Sequence, residues 1–235
     1  MWKMRTSIWK QLIDVLLPRR CVVCGRRLTL TEQDICAPCL LAVPRTGYEH
    51  SAHDNPMARL LWARLPLERA AAWFFYSSQT LLAQAIYDLK YHGQPEIGFT
   101  LGRLMAAELR DSGFFDGIDV LLPLPLAKKR QRQRGYNQSE MLARGIEKVT
   151  GIAVVTDAVK RTRYEESQTR LQAWERQANV EGLFVLNDAT ALQNRHVLLV
   201  DDVMTTGATV MACAAALKTV EGIRISVLTA GFTKS

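Results

Sequence analysis

Asp201 and Asp202 stand side by side at the end of an apolar run, Val197-Leu198-Leu199-Val200. Two residues later come Thr205, Thr206, Gly207, Ala208 and Thr209. A turn of small residues that opens a helix lets successive backbone N–H groups converge on an anion, and the helix dipole adds to the attraction. Gly207 permits a positive φ and close approach, and the threonine hydroxyls are further donors. The segment therefore reads as a monophosphate cradle. The two carboxylates would repel that phosphate. They suit hydroxyl groups a few ångströms away, or a magnesium ion held through water. A phosphate beside a vicinal diol describes ribose 5-phosphate. The chain carries neither a lysine-bearing phosphate loop of the Walker type nor a G-x-G-x-x-G turn, so the usual nucleotide loops are excluded. The competing reading is an acid pair at a strand end followed by an ordinary helix cap.

A second chemical set lies near the N-terminus. Cys21 and Cys24 form one C-x-x-C pair, and Cys36 and Cys39 form another after eleven intervening residues. Four thiolates satisfy a closed tetrahedral zinc site, which leaves no open position for a substrate and so marks the metal as structural. A segment this short has almost no core, and metal binding would supply its folding energy. Two disulfides, or redox pairs, are the alternative, which fits poorly with an intracellular chain. Cys213, in Ala-Cys-Ala-Ala-Ala-Leu, reads as a small core residue.

Cations form the third set. Five of the seven residues from Lys128 to Arg134 are basic and none is acidic. This basic loop leaves a proline-rich strand exit, so Lys128 and Arg134 are candidates to meet a densely charged anion, with a solvated loop as the alternative. Arg161, Arg163 and Arg170 follow another strand in a second polar stretch, with solvated surface arginines as the bland reading of each.

Alternating elements must position these groups. Strand patterns fall at 70–76, 118–125, 154–159, 182–186, 196–200 and 225–230. Helical patterns fall at about 78–90, 97–110, 137–151, 168–179 and 207–220. Leu82, Ala85, Ile86 and Leu89 share one helical face. Strands alternating with helices of ten or more residues predict an α/β fold, a mostly parallel sheet flanked by helices, with ligands at the carboxyl ends of the strands. Residues 1–45 are expected to form an N-terminal helix and the four-cysteine ribbon, and 46–235 the α/β domain. Residues 46–66 give no clear pattern.

The chain has 235 residues, 48% of them hydrophobic and 23% charged, with a net charge of +7 and a pI near 9.3. That length allows one large domain with a small module, and the basic balance favours polyanions such as phosphates or nucleic acid. The first twenty residues read as an amphipathic helix, with Asp14 interrupting the apolar positions and no small-residue cleavage site following. No segment reads as a membrane span, and the expected compartment is the cytoplasm.

The thirteen residues V-L-L-V-D-D-V-M-T-T-G-A-T are similar to the signature of type I phosphoribosyltransferases, which bind phosphoribosyl pyrophosphate (PRPP). The resemblance implies ribose hydroxyl contacts from Asp201 and Asp202 and 5-phosphate binding by residues 205–209, with Mg²⁺ accompanying PRPP. It also implies a loop that closes over the leaving pyrophosphate, for which Arg161, Arg163 and Arg170 are candidates, with Arg163, Asp201 and Asp202 as the expected catalytic set. The order of motifs extends it. The four-cysteine ribbon is followed by L-K-Y-H-G at 89–93, P-L-P-L…R-G-Y-N-Q at 123–138 and S-Q-T-R-L…E-R…N-V-E-G-L-F at 167–184, and then by the acid pair. This order resembles the ComF family, which includes competence protein F and GntX-like proteins. It implies a role in uptake or use of external DNA, including natural transformation, without implying a settled reaction. Two classes of function stay open. One is a phosphoribosyltransferase displacing pyrophosphate from PRPP. The other is a non-catalytic module that senses PRPP or a nucleotide, or docks on single-stranded DNA or DNA-uptake proteins. Tyr91, Tyr136 and Trp174 are candidates to stack on bases. The acceptor and the oligomeric state are not readable.

Overall fold

The computed structural model describes residues 18–62, 65–162 and 182–233. Their centre is a five-stranded sheet in the order β1-β7-β6-β2-β3, where β1 is Leu67–Phe75, β2 Val120–Pro123, β3 Ala153–Val154, β6 His196–Met204 and β7 Arg224–Phe232. All four neighbouring pairs run parallel. Val197, Leu198, Leu199 and Val200 have no exposed surface, the pattern of a strand covered on both faces. Two shorter strands, β4 (Val159–Arg161) and β5 (Phe184–Leu186), form a separate antiparallel pair.

Seven helices are described: α1 Ala37–Leu41, α2 Pro56–Trp62, α3 Leu81–Tyr91, α4 Pro95–Leu109, α5 Lys128–Arg134, α6 Gln138–Thr150 and α7 Ala208–Leu217. Leu82, Ala85, Ile86 and Leu89 are all buried on α3, as their spacing requires. Pro95 starts α4, where a missing N–H costs nothing. Four expectations change. The basic segment 128–134 is a short helix in place of the expected polar loop, closed by Gly135 in the left-handed region (φ 85°). The strand expected at 154–159 is two strands, because Thr156 and Asp157 interrupt it. The strand at 182–186 joins the hairpin and not the main sheet. β6 runs on to Met204, paired with Phe232 of β7, so the two acids lie within the paired end of the strand and not beyond it. The expected helices at 1–20 and 168–179, together with Arg163, Arg170 and Trp174, lie outside the described residues, apart from 18–20.

α4 and α6 touch backbone to backbone. A methyl group on Gly102 would lie 2.1 Å from the Leu142 carbonyl oxygen, and one on Gly145 would lie 2.1 Å from the Phe99 oxygen. Only glycine allows that approach. The start of α6 is fixed separately. Buried Asn137 caps it by accepting from Ser139 N–H (3.1 Å) and donates through Nδ2 to Leu124 O (3.0 Å) just past β2. The same helix α4 holds the cysteine segment. Arg103 donates to Asp34 (3.0 Å), and Arg45 meets Glu108 through two 2.7 Å bonds, with Trp73 Nε1 donating to the same carboxylate at 2.8 Å. Residues 44–46 then run beside β1: Phe75 N–H donates to Pro44 O (2.8 Å) and Thr46 N–H to Trp73 O (3.1 Å). That strand edge is thereby covered.

The α4–α6 contact sets a stability expectation. Gly102→Ala or Gly145→Ala forces the helices apart and lowers unfolding free energy by about 2–3 kcal/mol. Urea denaturation measures it, and a change below about 0.5 kcal/mol would show that the helices separate without cost.

Candidate functional site

At the carboxyl edge of the sheet, Asp201 and Asp202 face different partners, because successive strand residues project to opposite sides. Asp201 Oδ1 accepts from Ser139 Oγ (2.8 Å) at the start of α6 and from Asp202 N–H (2.9 Å). Asp202 is 4% exposed. Its Oδ1 accepts from Val203 N–H (2.6 Å), while Lys90 Nζ, from the end of α3, lies 3.0 Å from Oδ2. That ion pair is close but not aligned as a hydrogen bond, so the buried Oδ2 retains unused acceptor capacity. Burial and the neighbouring Asp202 push the Asp201 carboxyl up to about 7, against the lowering effect of the Asp202 N–H, the Ser139 hydroxyl and Lys90.

Beside the acids lies a cavity of about 210 Å³ lined by Lys90, Tyr91, Arg130, Arg134, Arg161, Ser139 and both aspartates, among others. Its walls combine two carboxylates with four cationic side chains, the complement of a polyol carrying phosphate. Arg134 also donates to Gln138 Oε1. Arg161, at the end of β4, lies over the Phe184 ring at 5.4 Å. Burial, then the nearby Arg130, hold its guanidinium below its ordinary value, with Asp201 opposing them. A cation in that condition gains from an anion in the cavity.

A second, smaller cavity of about 40 Å³ adjoins it, sharing Asp201, Val203 and Thr209 and otherwise lined by residues 204–208 and Val210. Here β6 turns into α7. Gly207 stands at the N-cap with φ 74° and has no side chain to cap the helix, while Thr206 Oγ1 accepts from Ala208 N–H at 3.4 Å. A side chain at Gly207 would be strained by that φ and would also lie 3.0 Å from Leu61 of α2. A helix start of this kind, its first N–H held only at 3.4 Å, is suited to an anion.

The structure brings together Asp201, Asp202, Thr205, Thr206, Gly207, Ala208, Thr209 and Arg134. Lys128 is exposed and does not line either cavity; Arg130, further along the same helix, does. Sequence reasoning missed Lys90, Ser139 and Arg130 as site residues. Lys90 sits in the L-K-Y-H-G stretch, and a cation just before a helix-ending His-Gly could have drawn notice. Ser139 looks like an ordinary first-turn residue, and only the fold shows it 2.8 Å from an aspartate 62 positions away. Tyr136 donates its hydroxyl to Leu89 O and is partly buried, so it is a packing residue.

The four cysteines form the second site. Cys21, Cys24, Cys36 and Cys39 place their sulfurs within 4.8 Å of one another, with Cys24 and Cys36 3.7 Å apart. A tetrahedral ion bonded at about 2.3 Å separates its sulfurs by about 3.8 Å, so the set fits one metal ion. All four are free thiols. Burial raises the Cys21 thiol, but backbone N–H groups of Cys36, Cys24 and Val23 outweigh it and bring it to about 7. Burial lifts Cys39 well above its ordinary value. Cys213 is fully buried, and burial pushes its thiol up to about 12, as a core residue should behave.

A family model described as phosphoribosyl transferase domain matches residues 91–231, which include the acid pair and the turn into α7. The chain is also similar to DNA utilization protein YhgH of Escherichia coli strain K12, at 30% identity over 208 residues covering 84% of this chain and 90% of that protein. Competence protein F of Haemophilus influenzae is 26% identical over 201 residues, covering 81% and 86%. Competence protein ComFC of Bacillus subtilis is 31% identical over 98 residues, covering 42% and 38%. Among the described residues no helix is long and apolar enough to cross a membrane.

The raised Asp201 sets a pH dependence. Between about pH 4, where an unfolded aspartate ionises, and pH 7, the folded chain holds a proton that the unfolded chain has released. Stability from this group is therefore fully present below about pH 4 and declines as pH rises through 7. Asp201→Asn keeps the Oδ1 acceptor without the charge. It should raise unfolding free energy by about 2–3 kcal/mol at about pH 8, less at about pH 5, and not at all below about pH 4. Urea titrations of both proteins at about pH 5 and about pH 8 measure this, and a pH-independent difference would sink the assignment.

Proposed function

Because the chain belongs to the phosphoribosyl transferase domain family, and to its ComF branch, we propose that the paired cavities bind PRPP together with Mg²⁺ and that the protein acts in the uptake or use of external DNA. One observation carries the ligand reading: an acid pair, Asp202 buried and Asp201 half-buried, and a glycine-led helix start open into adjoining cavities that share Asp201. In this reading Asp201 and Asp202 accept the ribose 2- and 3-hydroxyls. Residues 205–209 hold the 5-phosphate. Arg130, Arg134 and Arg161 face the pyrophosphate, and Lys90 moves between Asp202 and that anion. Mg²⁺ supplies charge neutralisation for the pyrophosphate when bound. In transfer, an acceptor's lone pair forms a bond to C1 while the C1–O bond breaks and the electron pair leaves with pyrophosphate. The chain's contribution is position and charge on the leaving group. Arg163 is proposed to join that set from beyond the described residues.

The DNA role extends to this chain what the names of its relatives say of them. Its support is similarity along more than four fifths of the chain with YhgH. The absence of a membrane-length helix among the described residues is compatible with work in the cytoplasm. We read the chain as two units, 1–45 and 46–235, with Zn²⁺ in the four-cysteine site as a structural ion, a closed site that adds folding energy and no reaction.

Calorimetry with PRPP and Mg²⁺ tests the ligand. We expect saturable binding that strengthens from about pH 6 to about pH 8 as Asp201 ionises, and roughly a tenfold loss or more in Asp201→Ala/Asp202→Ala. No binding to wild type would reject the reading. Pyrophosphate release with nucleobases, nucleosides and amines separates a transferase from a PRPP-sensing module: binding without release from any acceptor selects the sensor. For the metal, we expect one zinc per chain by elemental analysis, and Cys36→Ser to lose it and lower the melting temperature by about 5 °C or more. Retention of zinc in that variant would place the ion elsewhere.

A further inference from the structure

Residues 44–53 run back along β1 from its carboxyl end to its start, with Thr46 beside Trp73, Ala52 beside Ala70 and His53 beside Glu68. The far end of that run opens on a cavity of about 330 Å³ at the amino-terminal edge of the sheet, opposite the acid pair. Several of its polar walls are already engaged. Arg69 donates to the Gly113 and Phe114 carbonyls (3.1 and 2.8 Å), Asp54 accepts from Arg59 (2.6 Å), and Ser112 donates to Leu109 O (2.7 Å). Glu49, His50 and His53 face the same cavity with lone pairs to spare. The chain's other two histidines are spent elsewhere: His92 on Asp88 (2.8 Å), and buried His196 between Gly117 O and Ser226 Oγ.

Two imidazoles and a carboxylate are a metal-ligand set, and the backbone brings them to one side. His50 N–H donates to Gly47 O and Asp54 N–H to Ser51 O, so the segment winds with three residues per turn. In that geometry residues three apart eclipse, which puts His50 and His53 on one face. The His53 ring is already oriented. Its Nδ1 lies 2.8 Å from the Glu68 carbonyl oxygen, which can only accept, so Nδ1 carries the proton and Nε2 keeps its lone pair. A carbonyl on the far nitrogen is a usual partner of a metal-bound imidazole. His50 Nε2 stands 3.6 Å from Glu49 Oε1. Two donors bound at about 2.1 Å at the tetrahedral angle lie about 3.4 Å apart, so this pair has nearly the spacing of two ligands of one ion. Among the described residues only the cysteine sulfurs form a set of three or more donors already within 4.8 Å of one another. Closing the present set takes a turn of the His50 side chain, which is 76% exposed. We propose that Glu49, His50 and His53 bind one divalent transition-metal ion of the zinc or nickel class, through two imidazole nitrogens and one carboxylate oxygen. Three protein donors leave a fourth position to water, so this site is open where the cysteine site is closed. It stands just before α2, whose Leu61 lies against Gly207 at the other edge of the sheet. It does not depend on PRPP binding.

The test is calorimetry of Ni²⁺ into the full, untagged chain carrying its cysteine-bound metal, with zinc content measured before and after. We expect saturable uptake of one Ni²⁺ per chain and no release of zinc. His50→Ala and His53→Ala should each weaken that binding by at least about 10-fold. Glu49→Gln should weaken it as well, and His92→Ala should leave it unchanged. The melting temperature of wild type should rise with Ni²⁺ concentration, because an ion held only by the folded chain stabilises it. The melting temperature of His50→Ala should not respond. His50 is exposed, so that variant should match wild type in the absence of Ni²⁺, which serves as the check on folding. No saturable Ni²⁺ binding by wild type, or unchanged affinity in His50→Ala, overturns the site. So does nickel uptake matched by zinc release, which would place the ion at the cysteines, or loss of binding in His92→Ala.

Discussion

Asp201 and Asp202 follow directly on four strand residues with no exposed surface, and two carboxylates so placed repel each other where little water screens them. Much of the surrounding architecture answers that repulsion. The Ser139 hydroxyl and the Asp202 amide point at one carboxylate, and Lys90 points at the other. These partners come from three separate parts of the chain, so the fold must be complete before the pair is tolerable. The result is a site under electrostatic strain when empty. Hydroxyl donors or a cation would relieve it, which is the condition for selective capture of a ligand carrying both.

The cationic side of the site follows a different rule. Arg130, Arg134 and Arg161 come from a short helix and a short hairpin strand at the periphery of the sheet. The acids are fixed by the rigid centre and the arginines by small outlying elements. Under the proposed PRPP reading, ribose recognition would rest on the part of the molecule least able to move, and pyrophosphate recognition on the parts most able to adjust.

The features readable in the sequence are those written locally. Val197-Leu198-Leu199-Val200 has to be a core strand, the small residues after it have to turn, and cysteines spaced C-x-x-C have to converge. The helix α6 between Asn137 and Gly151 is equally plain, because its cap and its terminating glycine are sequence signals. The features not readable depend on contacts between distant segments. Ser139 reaching Asp201, and Lys90 reaching Asp202, are products of the α4–α6 packing and of the end of α3. The basic segment reads as a loop because a seven-residue helix with no apolar face leaves no periodic trace. Lys128 stands out in place of Arg130 for the same reason: without knowing that the segment is helical, nothing says which cation turns inward. The acids' place inside β6 is hidden because a strand's end is set by its neighbour, here β7 running on to Phe232.

Gly102 and Arg103 are consecutive residues of α4. The first lies against α6, whose start holds Asp201 through Ser139; the second grips Asp34 between the cysteine pairs. A single turn of one helix therefore serves as a shared strut for the metal-binding segment and for the acid pair. On the α6 side the contact is backbone against backbone, with no room for a Cβ; on the other it is an ion pair whose side chains are about one third exposed, the kind that water loosens. The seating of the acid pair is thus tied tightly to α6 and only lightly to the cysteine segment, so the two sites share a support without being locked to each other.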